Sequence, residues 1–177
     1  DLEDFALGFT LSEGIVDTRA AVLDLSVSQH PEGVVIDIKI GSERFTQLQT
    51  RERNLTGRTG CGLCGVRSLE QAIRHPQVLH TTAVIEHSAV QKALTQLATR
   101  QPINALTGAL HAAAWARLDG TIECVREDVG RHNALDKLIG ALVRQGADLS
   151  AGLAVMTSRA SYELVQKAAT CRIATLA

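Results

Sequence analysis

From Thr82 onward, short apolar runs alternate with amphipathic stretches, and no other feature restricts the fold as much. Gly152 to Met156 is a five-residue apolar run between polar turns, the pattern of a strand buried on both faces. Arg131 to Val143 places Ala134, Leu135, Leu138, Ile139 and Leu142 on one face of a helix. Thr121 to Val125 reads as a strand and Ser161 to Ala169 as a helix. Ala83 to Glu86 reads as a short strand, and Ser88 caps a helix reaching about Ala98. The small-residue run Gly108 to Ala116 reads as a further helix, with Trp115 on its core side. Strands alternating with helices predict a layered α/β core over residues 82–177, with Arg172 to Ala177 opening a last strand.

The first 53 residues follow a different pattern. Asp1 to Val16 has helical spacing through Leu2, Phe5, Phe9 and Leu11, and Gly14 ends it. Ala21 to Val27 and Val34 to Ile40 read as a hairpin turning at His30-Pro31-Glu32-Gly33. Gly41 to Arg53 is polar and mixed and carries no assignment. The expected organisation is a smaller α+β region over 1–53, a loop with a short helix (Ser68 to Arg74) over 54–81, and the core. The chain opens on Asp1 inside a helical pattern and stops inside a strand-like one, so the natural protein is expected to extend beyond both ends.

A chain of 177 residues can bury a full core without staples. The net charge of −1, with no Lys/Arg block, argues against nucleic-acid binding. Aromatic residues are 3% of the chain, too few for base-stacking platforms. No apolar run approaches a membrane span and no signal peptide is visible, so a cytoplasmic protein is expected. Four cysteines in a chain this long do not make a disulfide scaffold, and a reducing compartment with one reactive or metal-binding pair fits better.

That pair is Cys61 and Cys64, in Asn54-Leu-Thr-Gly-Arg-Thr-Gly-Cys-Gly-Leu-Cys-Gly65. Four glycines in twelve residues predict an exposed, mobile loop. The C-x-x-C spacing serves three chemistries: a dithiol switch, half of a zinc site, or sulfur transfer. All need a thiolate, which Arg58, Arg53 and Arg51 would favour. A zinc site normally wants a second close pair; here only Cys124, Cys171 and His111 are left to complete one. A zinc deaminase places H-x-E before P-C-x-x-C. Here the cysteines come first, Gly60 replaces the proline, and His111-Ala-Ala113 lacks the glutamate, so deaminase chemistry is not expected.

Three polar junctions lead into predicted helices. Arg126-Glu-Asp-Val-Gly-Arg-His-Asn133 crowds charge where a strand meets a helix, the position at which α/β folds bind ligands. The structural alternative is Asp128 as a helix cap with Arg131 as its ion-pair partner. Thr157-Ser-Arg-Ala-Ser161 supplies hydroxyls and an Arg suited to phosphate, or else a plain Ser cap. Thr107-Gly-Ala-Leu-His111 is the third, and His111 either faces the same crevice or is an ordinary satisfied histidine.

Taken in order, these segments resemble one family. Asp1 to Ile15, Gly57 to Gly65, His111-Ala-Ala-Ala-Trp115, Glu127 to His132 with Ala134-Leu-Asp-Lys-Leu138, and Ser158 to Glu163 with Val165-Gln-Lys167 are similar to the formate dehydrogenase accessory sulfurtransferases, FdhD. The resemblance implies a cytidine-deaminase-like layered α/β core beside a smaller N-terminal α+β region, in a homodimer. It implies a sulfurtransferase that takes sulfur from a cysteine desulfurase and passes it to the molybdenum bis(molybdopterin guanine dinucleotide) cofactor used by formate dehydrogenase. That cofactor is a bound substrate, and no permanent cofactor or metal is expected. Cys61 would carry the persulfide and Cys64 would assist. His111, Asp128, Arg131, His132, Ser158 and Arg159 would border the cofactor's phosphates. The rival readings are a cofactor-binding chaperone with incidental cysteines and a zinc-stabilised structural module.

Overall fold

The computed structural model describes residues 1–50, 78–79 and 83–177. Cys61, Cys64, the glycine-rich stretch and the short helix expected at Ser68 to Arg74 lie outside these residues.

The centre is a three-stranded sheet in the order β4-β3-β5, formed by β3 (His111–Arg117), β4 (Ile122–Asp128) and β5 (Gly152–Met156). β3 runs antiparallel to both neighbours. The chain end adds a parallel bridge at Leu176 to Ala154, which is as much of the expected last strand as forms. The predicted helix over Gly108 to Ala116 is wrong: Gly108 ends a short helix, and His111 to Ala116 belong to the central strand. Their alanines have high helix propensity, but position in the sheet overrides it. Ala112, Ala114 and Ala116 face one core with Leu153 and Val155, while Ala113 and Trp115 face the other with Ala154 and Met156. Alternation of period two through a strand covered on both sides accounts for the run of small residues. Trp115 is core, as expected, but from a strand. The short strand expected at Ala83 to Glu86 is also absent. These residues have no regular structure and Val84 is exposed.

Helices cover both faces. On one side α3 (His87–Ala98) packs Ala93 and Leu97 against β3 and β5. Next in the chain is the short α4 (Pro102–Thr107), with proline in its first turn and Gly108 in the left-handed conformation at its end. On the other side α5 (Arg131–Arg144) and α6 (Tyr162–Thr170) bury Leu135, Leu138, Ile139, Leu142, Leu164 and Ala168. The layered α/β organisation is therefore present, built on an antiparallel sheet.

The N-terminal elements pack onto α5. α1 (Leu2–Ser12) closes with Gly14 at φ +61° and a bond from Ile15 N to Thr10 O, a Schellman-type ending. It crosses α5 at backbone contact distance: a Cβ on Gly8 would lie 1.7 Å from Asp136 O, and one on Gly140 would lie 1.8 Å from Asp4 O. The hairpin β1 (Val22–His30) and β2 (Gly33–Ile40) is antiparallel as predicted, and Leu25, Ile38 and Ile40 rest against Leu7, Leu11 and Val16. The unassigned polar stretch contains α2 (Ser42–Thr50). Its apolar residues are too few to give a periodic signal, and Phe45 stays exposed.

Ion pairs on buried carboxylates join these layers. Asp4 accepts two bonds from Arg126 (3.0 and 2.9 Å) and one from Arg144 (2.9 Å). Lys167 lies 2.8 and 2.9 Å from the two oxygens of Asp136, 3.2 Å from Glu13 and 2.9 Å from Ser12 Oγ. Burial pushes the Asp136 carboxyl up despite this ammonium. Burial also opposes the charge on Lys167, but Asp136 and Glu13 outweigh it and hold its proton more firmly than in water.

Candidate functional site

Because β3 opposes both neighbours, the start of β3 and the ends of β4 and β5 fall at one end of the sheet. His111 opens β3 directly across from Asp128, which ends β4. Thr157 follows β5 and is bound to β3 twice: Ala112 N donates to Thr157 Oγ1 at 2.9 Å, and Thr157 N donates to Ala112 O at 3.1 Å. Ser158 and Arg159 come next. α5 starts at Arg131 and α6 at Tyr162, so two helix N-termini open at this end. The three junctions singled out in the sequence thus converge, although His111 and Thr157 are 46 positions apart in the chain.

Each predicted residue has a distinct environment. His111 and Arg131 are half-buried, Ser158 is half-buried, and Arg159 is exposed. Ser158 Oγ makes one long bond, to Arg159 O at 3.4 Å. Asp128 accepts from Gly130 N at 2.9 Å and Asn133 Nδ2 at 3.1 Å, and pairs with Lys137 at 2.8 Å. Burial works against its charge, but Lys137 and the Gly130 N–H outweigh it, holding the carboxyl below the ordinary range. The N-cap of α5 is Gly130 and not Asp128, whose carboxylate is held by Lys137. His132 is buried, with Nε2 2.8 Å from Glu163 Oε2 on α6, so this pair ties the two helix starts together. Ser161 is the N-cap of α6 but makes no side-chain cap bond.

Three neighbours of the site were missed. Lys137 lies nine residues from Asp128, outside any local spacing rule (137 − 128). Glu163 looks like an ordinary acid in a helix's first turn. Glu127 accepts from Ile103 N (3.1 Å) and Asn104 N (2.7 Å), fixing the start of α4. Lys137 and Lys167 both lie within the segments quoted for the family resemblance.

Burial works against thiolate formation at both described cysteines. Burial pushes the Cys171 thiol up to about 12, with Asp136 adding to the effect, and burial raises Cys124 as well. Among the described residues, no three His, Cys, Asp or Glu side chains are grouped to hold a metal ion, and no helix is long and apolar enough to cross a membrane.

Comparison with known proteins gives consistent results. The model of the FdhD/NarQ family matches residues 1–177. Sulfur carrier protein FdhD of Xanthomonas euvesicatoria pv. vesicatoria is 56% identical over 177 residues, covering 100% of this chain and 63% of that protein. The protein of the same name from Cupriavidus necator is 53% identical over 169 residues, covering 96% of this chain and 59% of its own length. A crystal structure from Desulfotalea psychrophila, provisionally described as a formate dehydrogenase accessory protein, superposes with a TM-score of 0.66 at 20% identity, over 99% of this chain and 62% of that one. At that identity the likeness concerns the fold alone. The chain spans about three-fifths of the length of these relatives.

Proposed function

The chain belongs to the FdhD/NarQ family, and from that premise we propose that it works as a sulfur carrier in the maturation of formate dehydrogenase. The observation that carries this is the match of the family model through the whole chain, at more than half identity to relatives named sulfur carriers. The cysteine chemistry supports it. Burial disfavours the thiolates of Cys124 and Cys171, which is consistent with Cys61 and Cys64, the C-x-x-C positions of the family resemblance, as the carrier pair.

In the proposed reaction, the Cys61 thiolate attacks the outer sulfur of a persulfide on a cysteine desulfurase. The donor's S–S bond breaks, a new one forms on Cys61, and the donor thiolate leaves with no net oxidation. Attack by Cys64 on the Cys61 sulfur then forms a disulfide and releases the outer sulfur as sulfide. Two thiols are oxidised as the sulfane sulfur is reduced. The acceptor is the molybdenum bis(molybdopterin guanine dinucleotide) cofactor, a substrate whose phosphates would lie at the convergent end of the sheet. Two helix N-termini, Arg131 and Arg159 favour an anion there, and His111 and Ser158 border the same end. His132 contributes through Glu163. The carrier would act as a cytoplasmic homodimer.

Incubation with a desulfurase and cysteine, followed by peptide mass spectrometry, should add about 32 Da, one sulfur atom, at Cys61. If Cys61→Ala still accepts sulfur and still supports formate dehydrogenase activity, Cys61 is not the carrier. If Cys61→Ser binds guanine nucleotide and supports full activity, the protein is a cofactor chaperone instead.

A further inference from the structure

Asp128 stands where the proposed ligand would bind, yet its carboxylate is already engaged. Oδ1 accepts from Gly130 N and Asn133 Nδ2, and Oδ2 faces Lys137 Nζ at 2.8 Å. Lys137 is similarly committed. Its side chain is only 12% exposed, and its ammonium reaches Asp128, the Glu127 carbonyl (3.1 Å) and Asp1 (3.2 Å), three acceptors for three hydrogens. An ionised carboxylate offers no hydrogen to a phosphate and repels its charge. Asp128 and Lys137 instead span the link from β4 to the second turn of α5.

We propose that Asp128 and Lys137 are positioning residues of the nucleotide site, fixing the turn at Gly130 so that Arg131 and the start of α5 are presented to the ligand, while neither touches it. This rests on the reading that a guanine nucleotide binds at this end of the sheet. It reassigns Asp128, which the sequence places among the ligand contacts, and gives Lys137 a role in the same site. The rival assignment is a direct contact from Asp128 to ligand N–H groups.

A double-mutant cycle separates the two, with GDP as the probe in calorimetry of wild type, Asp128→Asn, Lys137→Met and the double variant. Each single change takes from a half-buried charge its closest charged partner, leaving Lys137 with only the more exposed Asp1 or depriving Asp128 of its ion pair, and should weaken GDP binding about tenfold or more. In the double variant both half-buried charges are gone and only Asp1, 40% exposed, loses a partner, while an amide oxygen at position 128 can still accept from Gly130 and Asn133. Its affinity should return to within about threefold of wild type. A double variant as weak as Asp128→Asn overturns the proposal, because a direct contact would then be missing. Hydrogen exchange at the Gly130 amide, measured without ligand, keeps the outcomes distinct. Exchange should be faster in both single variants and slow again in the double. Equal protection in all four proteins overturns the proposal whatever GDP does. Wild type that shows the expected exchange pattern but binds no GDP refutes the nucleotide reading, while supporting the tie that Asp128 and Lys137 make.

Discussion

Replacing Lys167 with Met would leave buried negative charge unanswered. The Lys167 side chain is 8% exposed, Asp136 is 1% and Glu13 is 13%, so little water can substitute for the ammonium. Lys167 reaches both oxygens of Asp136, one of Glu13 and the Ser12 hydroxyl. Met fills a similar volume, so lost packing is a minor part of the effect. Breaking a buried pair from one side typically costs about 3–5 kcal/mol. A chain of this size loses about 2–4 °C per kcal/mol, which gives a fall in Tm of about 6–20 °C. Thermal unfolding followed by circular dichroism at pH 7 measures this directly. The pH dependence identifies the cause. The carboxyl of Asp136 titrates higher folded than unfolded, and removing Lys167 raises it further. A group with a raised folded pKa contributes stability at low pH that is lost as pH rises through that pKa. Lowering the pH from 7 toward the ordinary Asp range should therefore shrink the gap between variant and wild type. A gap that is small, or that stays constant with pH, would refute uncompensated charge as the source.

Other outcomes follow from the same geometry. Gly140→Ala should destabilise the protein by at least about 1–3 kcal/mol in urea unfolding, because its Cβ meets the Asp4 carbonyl at 1.8 Å and α1 must move off α5. Native alkylation with iodoacetamide near pH 8 should leave Cys124 and Cys171 unmodified, with label on both only in denaturant, since burial raises both thiols. The stability difference between wild type and Asp128→Asn should narrow as pH falls below 3.8. The folded Asp128 carboxyl titrates below its unfolded value, and that contribution is lost on protonation.

Amphipathic helices and the two-faced strand were legible in the sequence because burial imposes its period on apolar residues. Arg131–Arg144 and Gly152–Met156 match their predicted spans closely. The Ala112–Ala116 run was misread because alanine marks close packing as well as helix, and only the third dimension shows α3 on one side and α5 on the other. The site was legible as three separate polar junctions, and the antiparallel arrangement of β3 joins them. The distinction between groups facing a ligand and groups facing each other was not legible. His132 lying against Glu163, and Asp128 pairing with Lys137, depend on contacts between elements that no local spacing encodes.

The strand order also sets the opposite rim of the sheet apart from the three converging junctions. The turns at Leu118 to Thr121 and at Gln145 to Ala151 stand there, beside a shallow groove of about 540 Å³ edged by Trp115 and Asp148. Gly120 is unsuitable for change, because a side chain there would strike the Ala89 carbonyl. Asp148 to Ala151 is exposed apart from half-buried Leu149, so a fluorophore or affinity handle on Ser150 would stand a sheet length from His111, Asp128 and Thr157.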